Sequence, residues 1–312
     1  MFPRRASIWN AAIGGEATTA QTGEARYHLT SSLRSHFKIR GFQPETLEPI
    51  LMNDVVAAFN EYFEVIYPDT PELLREVFRL RYRVLCIEQR LPGFDASCYP
   101  EEYECDSYDD HSAHILLRHS PSGDFVGTAR LILPDPRDPE KPFPIERHTR
   151  FDPALFDINS LPRQHIAEIS RLLVVRRFRR RKEDNEKVEG EATVEESSIK
   201  KQRRFPHPIL ALVVGIIRMS AQHNITRCLS VMDPSLNRLL VPFGLHFDAI
   251  GPLIEYHGVR RPYHIDLQKM LRRMYVNNRQ IWELITDFGS VKLMPEKKQL
   301  EAPSYETEKS CS

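Results

Sequence analysis

Hydrophobic and polar positions divide the chain into stretches with different periods. Residues 1–43 mix Ala, Gly, Thr, Ser and Arg with no sustained apolar repeat, which predicts a disordered N-terminal segment. From Thr46 to Tyr62 the apolar positions Leu47, Ile50, Leu51, Val55, Ala58 and Phe59 recur at helical spacing. Tyr62 to Tyr67 alternates and ends at Pro68, as a strand does. Thr70 then caps a helix with Pro71 at its first position, running through Leu73, Leu74, Val77, Phe78, Tyr82 and Leu85.

An acidic, aromatic loop follows. Two strands come next, Ala113 to Arg118 and Phe125 to Leu133, and the turn formers Ser120 to Asp124 between them predict an antiparallel hairpin. A Pro-rich connection leads to a strand from His165 to Val175. Residues 176–204 are charge-dense and lack apolar positions for a core, so they predict a mobile charged insertion, with its domain bounds at 179–204. Pro208 to Gln222 is a strongly apolar helix, Arg227 to Met232 a strand, and Asp233/Pro234 to Phe243 a helix closed by Gly244. Strands at His246 to Ile250 and Leu253 to Tyr256 and helical segments over 266–288 complete the expected order. The sum is an α/β (α+β) fold over 44–288, a central mixed, mostly antiparallel sheet flanked by helices, with a flexible tail at 289–312.

Composition narrows the function classes. At 312 residues, 41% hydrophobic and 28% charged, wholesale disorder is excluded. Lys+Arg 43 balances Asp+Glu 43, so the net charge is zero and no nucleic-acid partner is expected. The longest apolar run, Pro208 to Ile217, is half of the ~20 residues a bilayer requires, so no transmembrane segment is expected, with peripheral membrane contact left open. No apolar region follows Arg4 and Arg5 as in a secretory signal. The five cysteines form no C-x-x-C pair, which argues against a disulfide framework or a zinc site and for a cytoplasmic location. The twelve histidines show no metal spacing, and only His257 is singled out for a site role.

Four stretches carry charge within elements that otherwise look like core: Leu80 to Val84, Glu104 to Asp109, Val126 to Pro134 and Ala167 to Leu172. Strand alternation puts Glu168 and Ser170 on one face and Arg171 on the other. A Glu inside an apolar strand needs a partner or solvent, because burying it alone costs several kcal/mol. Either it forms a structural ion pair with Arg130 or Arg81, or it belongs to a site.

The E-x-D-x-x-D of Glu104, Asp106 and Asp109, the R-L-x-x-P from Arg130 and the E-x-S-R of Glu168 to Arg171 resemble, in that order, the acyl-homoserine-lactone (autoinducer) synthases of the GNAT superfamily. The similarity is closer to N-acyl amino acid synthases and to acyltransferases associated with PEP-CTERM/exosortase systems. There it extends through Met232-Asp233-Pro234, Phe243-Gly244 and Gly251 to Pro262. The resemblance implies a GNAT-like acyl-CoA N-acyltransferase fold in a bacterial enzyme, with Arg81, Glu104, Asp106, Asp109, Arg130, Glu168 and Arg171 as its polar core. It also implies an oxyanion hole of backbone N–H groups near Leu172, Leu173 and Val174. Lactone-type members carry bulky aromatics where this chain has Leu85 and Leu91, which argues against an S-adenosylmethionine pocket.

Moving an acyl group from a thioester to the amine of an amino acid or related small molecule needs a base, oxyanion donors and an acceptor clamp. Glu168 and Glu104 are the candidate bases. Asp106 and Asp109 would hold the ammonium or orient arginines, and Arg81 or Arg130 would clamp an acceptor carboxylate. Ser170 is a conceivable nucleophile, although no G-x-S-x-G elbow surrounds it. No permanently bound cofactor is expected. The donor is acyl-CoA or the phosphopantetheine arm of acyl carrier protein. Coenzyme-A-dependent relatives have a Gly-rich turn after the Glu168 strand, where this chain has Arg176, Arg177, Arg179, Arg180, Arg181 and Lys182. That basic run suits an acidic carrier protein, unless it only solvates a loop. The helix Ile209 to Met219 either lines an acyl tunnel or is plain core. Two further readings stand beside the N-acyltransferase: a lactone synthase using S-adenosylmethionine, and a non-catalytic module that binds an acylated carrier.

Overall fold

Helix α1 (Asp54–Tyr62) runs straight into strand β1 (Phe63–Ile66), the first element of an eight-stranded sheet. The computed structural model describes residues 54–179 and 207–293; the expected disordered segment 1–43, the start of the first predicted helix, most of the insertion and the tail from 294 lie outside the described residues. α2 (Pro71–Tyr82) starts as predicted: Thr70 Oγ1 accepts from the Leu73 N–H at 3.3 Å and Pro71 needs no partner at the first position. It continues as a π-helical turn over Arg83–Glu88.

The predicted hairpin is β2 (Ser112–His119) and β3 (Phe125–Ile132), and β3 pairs antiparallel with β4 (Ile166–Val174). Between them lies the short α3 (Pro144–His148). One turn, α4 (Arg176–Arg179), follows β4, so the first residues of the predicted insertion are helical. α5 (Pro208–Gln222), β5 (Arg227–Met232) and α6 (Pro234–Leu240) fall where the pattern puts them, and Gly244, at φ 82°, closes the 3-10 turn after α6.

The largest departure is in the last third. The two strands predicted at 246–250 and 253–256 are only two residues each, β6 (Asp248–Ala249) and β7 (Ile254–Glu255). An unpredicted eight-residue strand, β8 (Val259–Asp266), pairs with β5, β6 and β7. Its Arg260-Arg261-Pro262 start hides the strand pattern, and Pro demotes any strand reading. α7 (Leu267–Asn277) and α8 (Arg279–Thr286) follow. The sheet order is β1-β2-β3-β4-β5-β8-β6, antiparallel except at β4–β5.

Helices cover both faces. Successive strand residues point to opposite sides: on β2 the His114 ring packs edge-on against Phe78 of α2, while a Cβ placed at Gly215 of α5 would meet the Ile115 methyl at 2.6 Å. Only glycine lets α5 lie that close to the sheet. α2 and α3 therefore cover one face and α5 the other.

Candidate active site

Two features of β4 build the site. First, its parallel pairing with β5 covers only Ile166 to Glu168, so Glu168 is the last β4 residue in register with β5 before the strands part. The Ser230 hydroxyl donates to the Ile169 carbonyl at 3.2 Å just past that point. Second, the register with β3 slips between Thr128 and Arg130, and Arg171 sits at φ 51°. This is a bulge whose left-handed residue costs about 1–2 kcal/mol for a side chain other than glycine.

The bulge corrects the predicted alternation. Arg171 does not turn away from Ser170; it joins the charged cluster on the α2 face, with its guanidinium 2.7 Å from Glu104 Oε1 and 3.1 Å from Asp106 Oδ2. Arg130, in register with Ser170, donates through Nε to Ser170 Oγ at 2.9 Å and through Nη1 to Asp106 and Asp109 at 2.7 and 2.8 Å. Arg81, fully buried on α2, donates to Glu104 at 2.5 Å and to both Asp109 oxygens at 2.7 and 3.2 Å. Within the loop, the Asp106 N–H donates to Asp109 and the Tyr108 N–H to Asp106, at 2.7 and 2.9 Å. Arg81, Arg130 and Arg171 thus interlock with Glu104, Asp106 and Asp109, each charge facing an opposite one.

Glu104 does not suit the role of base that the sequence offered it. Burial alone would raise its pKa, but the Arg81 and Arg171 guanidiniums outweigh that and hold it at about 2. Asp109 is likewise held below the usual carboxylate range: Arg81 and Arg130 overcome its desolvation. Arg81 is not a substrate clamp either. It is buried without reaching the cavity described next, and its fork is filled. His114, beside Asp109, is pushed down to about 4 by burial and is neutral.

Glu168 differs from these carboxylates. It is 4% exposed, and the expected ion pair with Arg130 or Arg81 is absent among the described residues. Its hydrogen-bond donor is the Ile145 N–H of α3, at 2.8 Å. Desolvation raises its pKa to about 7, against the smaller opposing pull of the Ile145 N–H and of Arg130 and Arg171.

A cavity of about 420 Å3 opens where β4 and β5 part and reaches both faces of the sheet. Its polar half holds Glu168, Ser170, Arg130, Arg171 and Asp106, together with Tyr256. Its apolar half is lined by Val213, Ile216 and Ile217 of α5, Leu240 of α6 and Met270 of α7. The α5 helix is therefore both core and cavity wall. Leu172 and Leu173 line the cavity too, while Val174 pairs with Gly127 and does not. Leu85 and Leu91 form part of the wall, as does Phe94, whose ring lies 5.1 Å from the Arg171 guanidinium carbon and 4.9 Å from the His257 ring. His257 Nδ1 lies 2.5 Å from the Pro92 carbonyl oxygen.

Of the basic run, Arg176 and Arg179 line a second hollow with Glu88, Gln89 and Leu91; Gln89 and Leu91 also line the main cavity. Arg179 lies 3.3 Å from Glu88. Arg180 and Arg181 lie outside the described residues. The sequence reading assigned no role to Tyr256, Phe94, His148 or Arg260, all of them in the cavity wall. Tyr256 and Arg260 do fall in the Gly251–Pro262 motif, which was the one signal available.

Residues 80–185 match the acetyltransferase (GNAT) domain. That span contains the whole charged cluster, the bulge and Glu168. No curated protein matches the chain. Solved structures similar to it include TofI in an apo form, at 20% identity over 70% of this chain and 98% of that one, with a TM-score of 0.44. BjaI, a CoA-dependent acyl-homoserine lactone synthase with SAM and isopentyl-CoA, has 18% identity over 72% and 88%, at 0.45. FeeM, an N-acyl amino acid synthase from uncultured soil microbes, has 10% identity over 67% and 93%, at 0.37.

Proposed function

We propose that the protein is an N-acyltransferase that moves a fatty acyl group from a thioester to the amino group of an amino acid or related small amine. The observation that carries this reading is Glu168, a carboxylate with no ion pair among the described residues, at the mouth of a strand gap and with a pKa near 7. Such a group is substantially ionised at neutral pH and basic enough to take an amine proton, directly or through one water. The neighbouring carboxylates, tied to arginines, fix the geometry and leave the proton transfer to Glu168.

In this reading the acyl chain occupies the apolar half of the cavity, and the thioester carbonyl lies at the gap beside β4. Backbone N–H groups around Leu172 and Leu173 supply the oxyanion donors. The amine adds to the carbonyl carbon and its proton passes to Glu168; the C–S bond then breaks with its electron pair on sulfur, and the thiolate takes that proton back from Glu168, directly or through water, to leave as the thiol. Ser170, which accepts from Arg130, positions that guanidinium and is not needed as a nucleophile. The donor's phosphate fits the hollow at Arg176 and Arg179, which adjoins the cavity through Gln89 and Leu91. A phosphopantetheine arm, on acyl carrier protein or in acyl-CoA, suits that path, and the basic run favours the acidic carrier protein.

The test is incubation with acyl carrier protein or CoA thioesters and a panel of amino acids, followed by mass spectrometry for an amide-linked acyl product. Glu168→Gln is expected to lower kcat by about 10²–10⁴-fold and leave the donor KM unchanged. Release of methylthioadenosine from S-adenosylmethionine would reassign the enzyme to lactone synthesis. Donor binding with no amide product from any acceptor would leave only a carrier-binding module.

A further inference from the structure

The cavity wall contains Arg130, Arg171 and Arg260. The first two are already ion-paired, Arg130 with Asp106 and Asp109 and Arg171 with Glu104 and Asp106. Arg260, on β8 in register with Ile254 of β7, is not. Its Nε and Nη2 each lie 3.4 Å from the His257 carbonyl oxygen, longer than the ~2.7–3.2 Å of a normal N–H···O bond. No carboxylate among the described residues lies within ion-pair distance of it.

Asp233 attracts Arg260 only from beyond ion-pair distance, and a half-buried guanidinium without a contacting counter-charge is costly, a cost relieved when a ligand brings the charge. Burial already pulls the pKa of Arg260 down, which agrees with an unmet charge. Its position relates it to the base: the Tyr256 phenol is in the fields of both Glu168 and Arg260.

We infer that Arg260 binds the carboxylate of the acceptor, so that the amine of an amino acid is held toward Glu168 and the substrate class is a free amino acid and not a simple amine. This rests on the N-acyltransferase reading above, and it replaces Arg81 and Arg130 as the acceptor clamp. Arg260 is a specificity-determining residue through a forked guanidinium–carboxylate contact.

The direct test is binding of two product-like probes, N-dodecanoylglycine and its uncharged amide, N-dodecanoylglycinamide, by calorimetry. The wild type is expected to hold the acid at least tenfold more tightly, and Arg260→Gln to abolish that preference without lowering Tm. Arg260→Lys, which keeps the charge and loses the fork, should retain part of it. Equal binding of the two probes, binding of neither, or an undiminished preference in Arg260→Gln would overturn the inference. A kinetic arm separates the two possible sources of the anion. Arg260→Gln should raise KM for glycine about tenfold, and leave KM unchanged for acyl-CoA and for the phosphate-free acyl-N-acetylcysteamine. A rise confined to acyl-CoA would assign Arg260 to the donor phosphate and overturn the inference. A binding preference without turnover on any amine would reject the N-acyltransferase reading and keep the site; turnover without a carboxylate preference would reject Arg260 alone.

Discussion

The Ile145 N–H donates to Glu168 Oε2 at 2.8 Å, from the first turn of α3 to the last β4 residue in register with β5. One neutral donor holds this carboxylate in place without neutralising its charge. Burial therefore sets its acidity, whereas arginines set that of Glu104.

That difference gives opposite pH dependences of stability. Glu168 has a folded pKa of about 7, above its unfolded value of about 4.5, so the folded state binds the proton more tightly. Stability from this group is full below pH 4.5 and is lost as pH rises to 7, by roughly 3 kcal/mol in total. Glu168→Gln keeps an acceptor for the Ile145 N–H and removes the ionisation. Urea unfolding should show the variant more stable than wild type by roughly 2–3 kcal/mol at pH 8, with the gap nearly closed at pH 5.

Glu104 runs the other way. Its folded pKa, about 2, lies below the unfolded 4.5, so its contribution is full above pH 4.5 and is lost as pH falls toward 2. Replacing it with Gln leaves Arg81 buried with only Asp109, and loosens Arg171. We expect a loss of about 3–5 kcal/mol at pH 7 by denaturant titration, and a change of less than 1 kcal/mol would contradict the interlocked cluster.

The sheet class, the hairpin, α2, α5 and β5 were legible because their periods and caps are local properties of sequence. β8 was not, because two arginines and Pro262 mask a strand that Tyr263 and Ile265 bury in the sheet. The residues of the charged cluster could be named from motifs, yet their roles could not. Which arginine meets which carboxylate depends on a bulge at Arg171 that no periodicity announces. Arg260 was hidden for a related reason: what distinguishes it is that no carboxylate among the described residues pairs with it, Asp233 acting only from farther off, and that becomes visible only once the chain is folded.

The apolar half of the cavity should set acyl chain length. Val213 and Ile217 face it from α5 and are nearly fully buried. Val213→Phe adds bulk there and should move the preferred donor to a shorter chain in competition between C8 and C14 thioesters. Its overpacking should cost about 1–3 kcal/mol. An unchanged chain preference would place the acyl group elsewhere.

Charge at Arg176 and Arg179 should govern donor capture. The double change of Arg176 and Arg179 to Glu is expected to raise KM for acyl carrier protein about tenfold or more at low salt, with the effect shrinking as salt screens it. KM for acyl-N-acetylcysteamine, which has no phosphate, should stay as it was.

The central claim is that Glu168 takes the proton of the acceptor amine, and the pH profile of kcat/KM tests it most directly. For wild type, log kcat/KM should rise with unit slope up to an apparent pKa near 7 and then level. In Glu168→Gln that step should vanish, with the residual rate following the amine's own ionisation. An unaltered step near 7 in the glutamine variant would contradict the account.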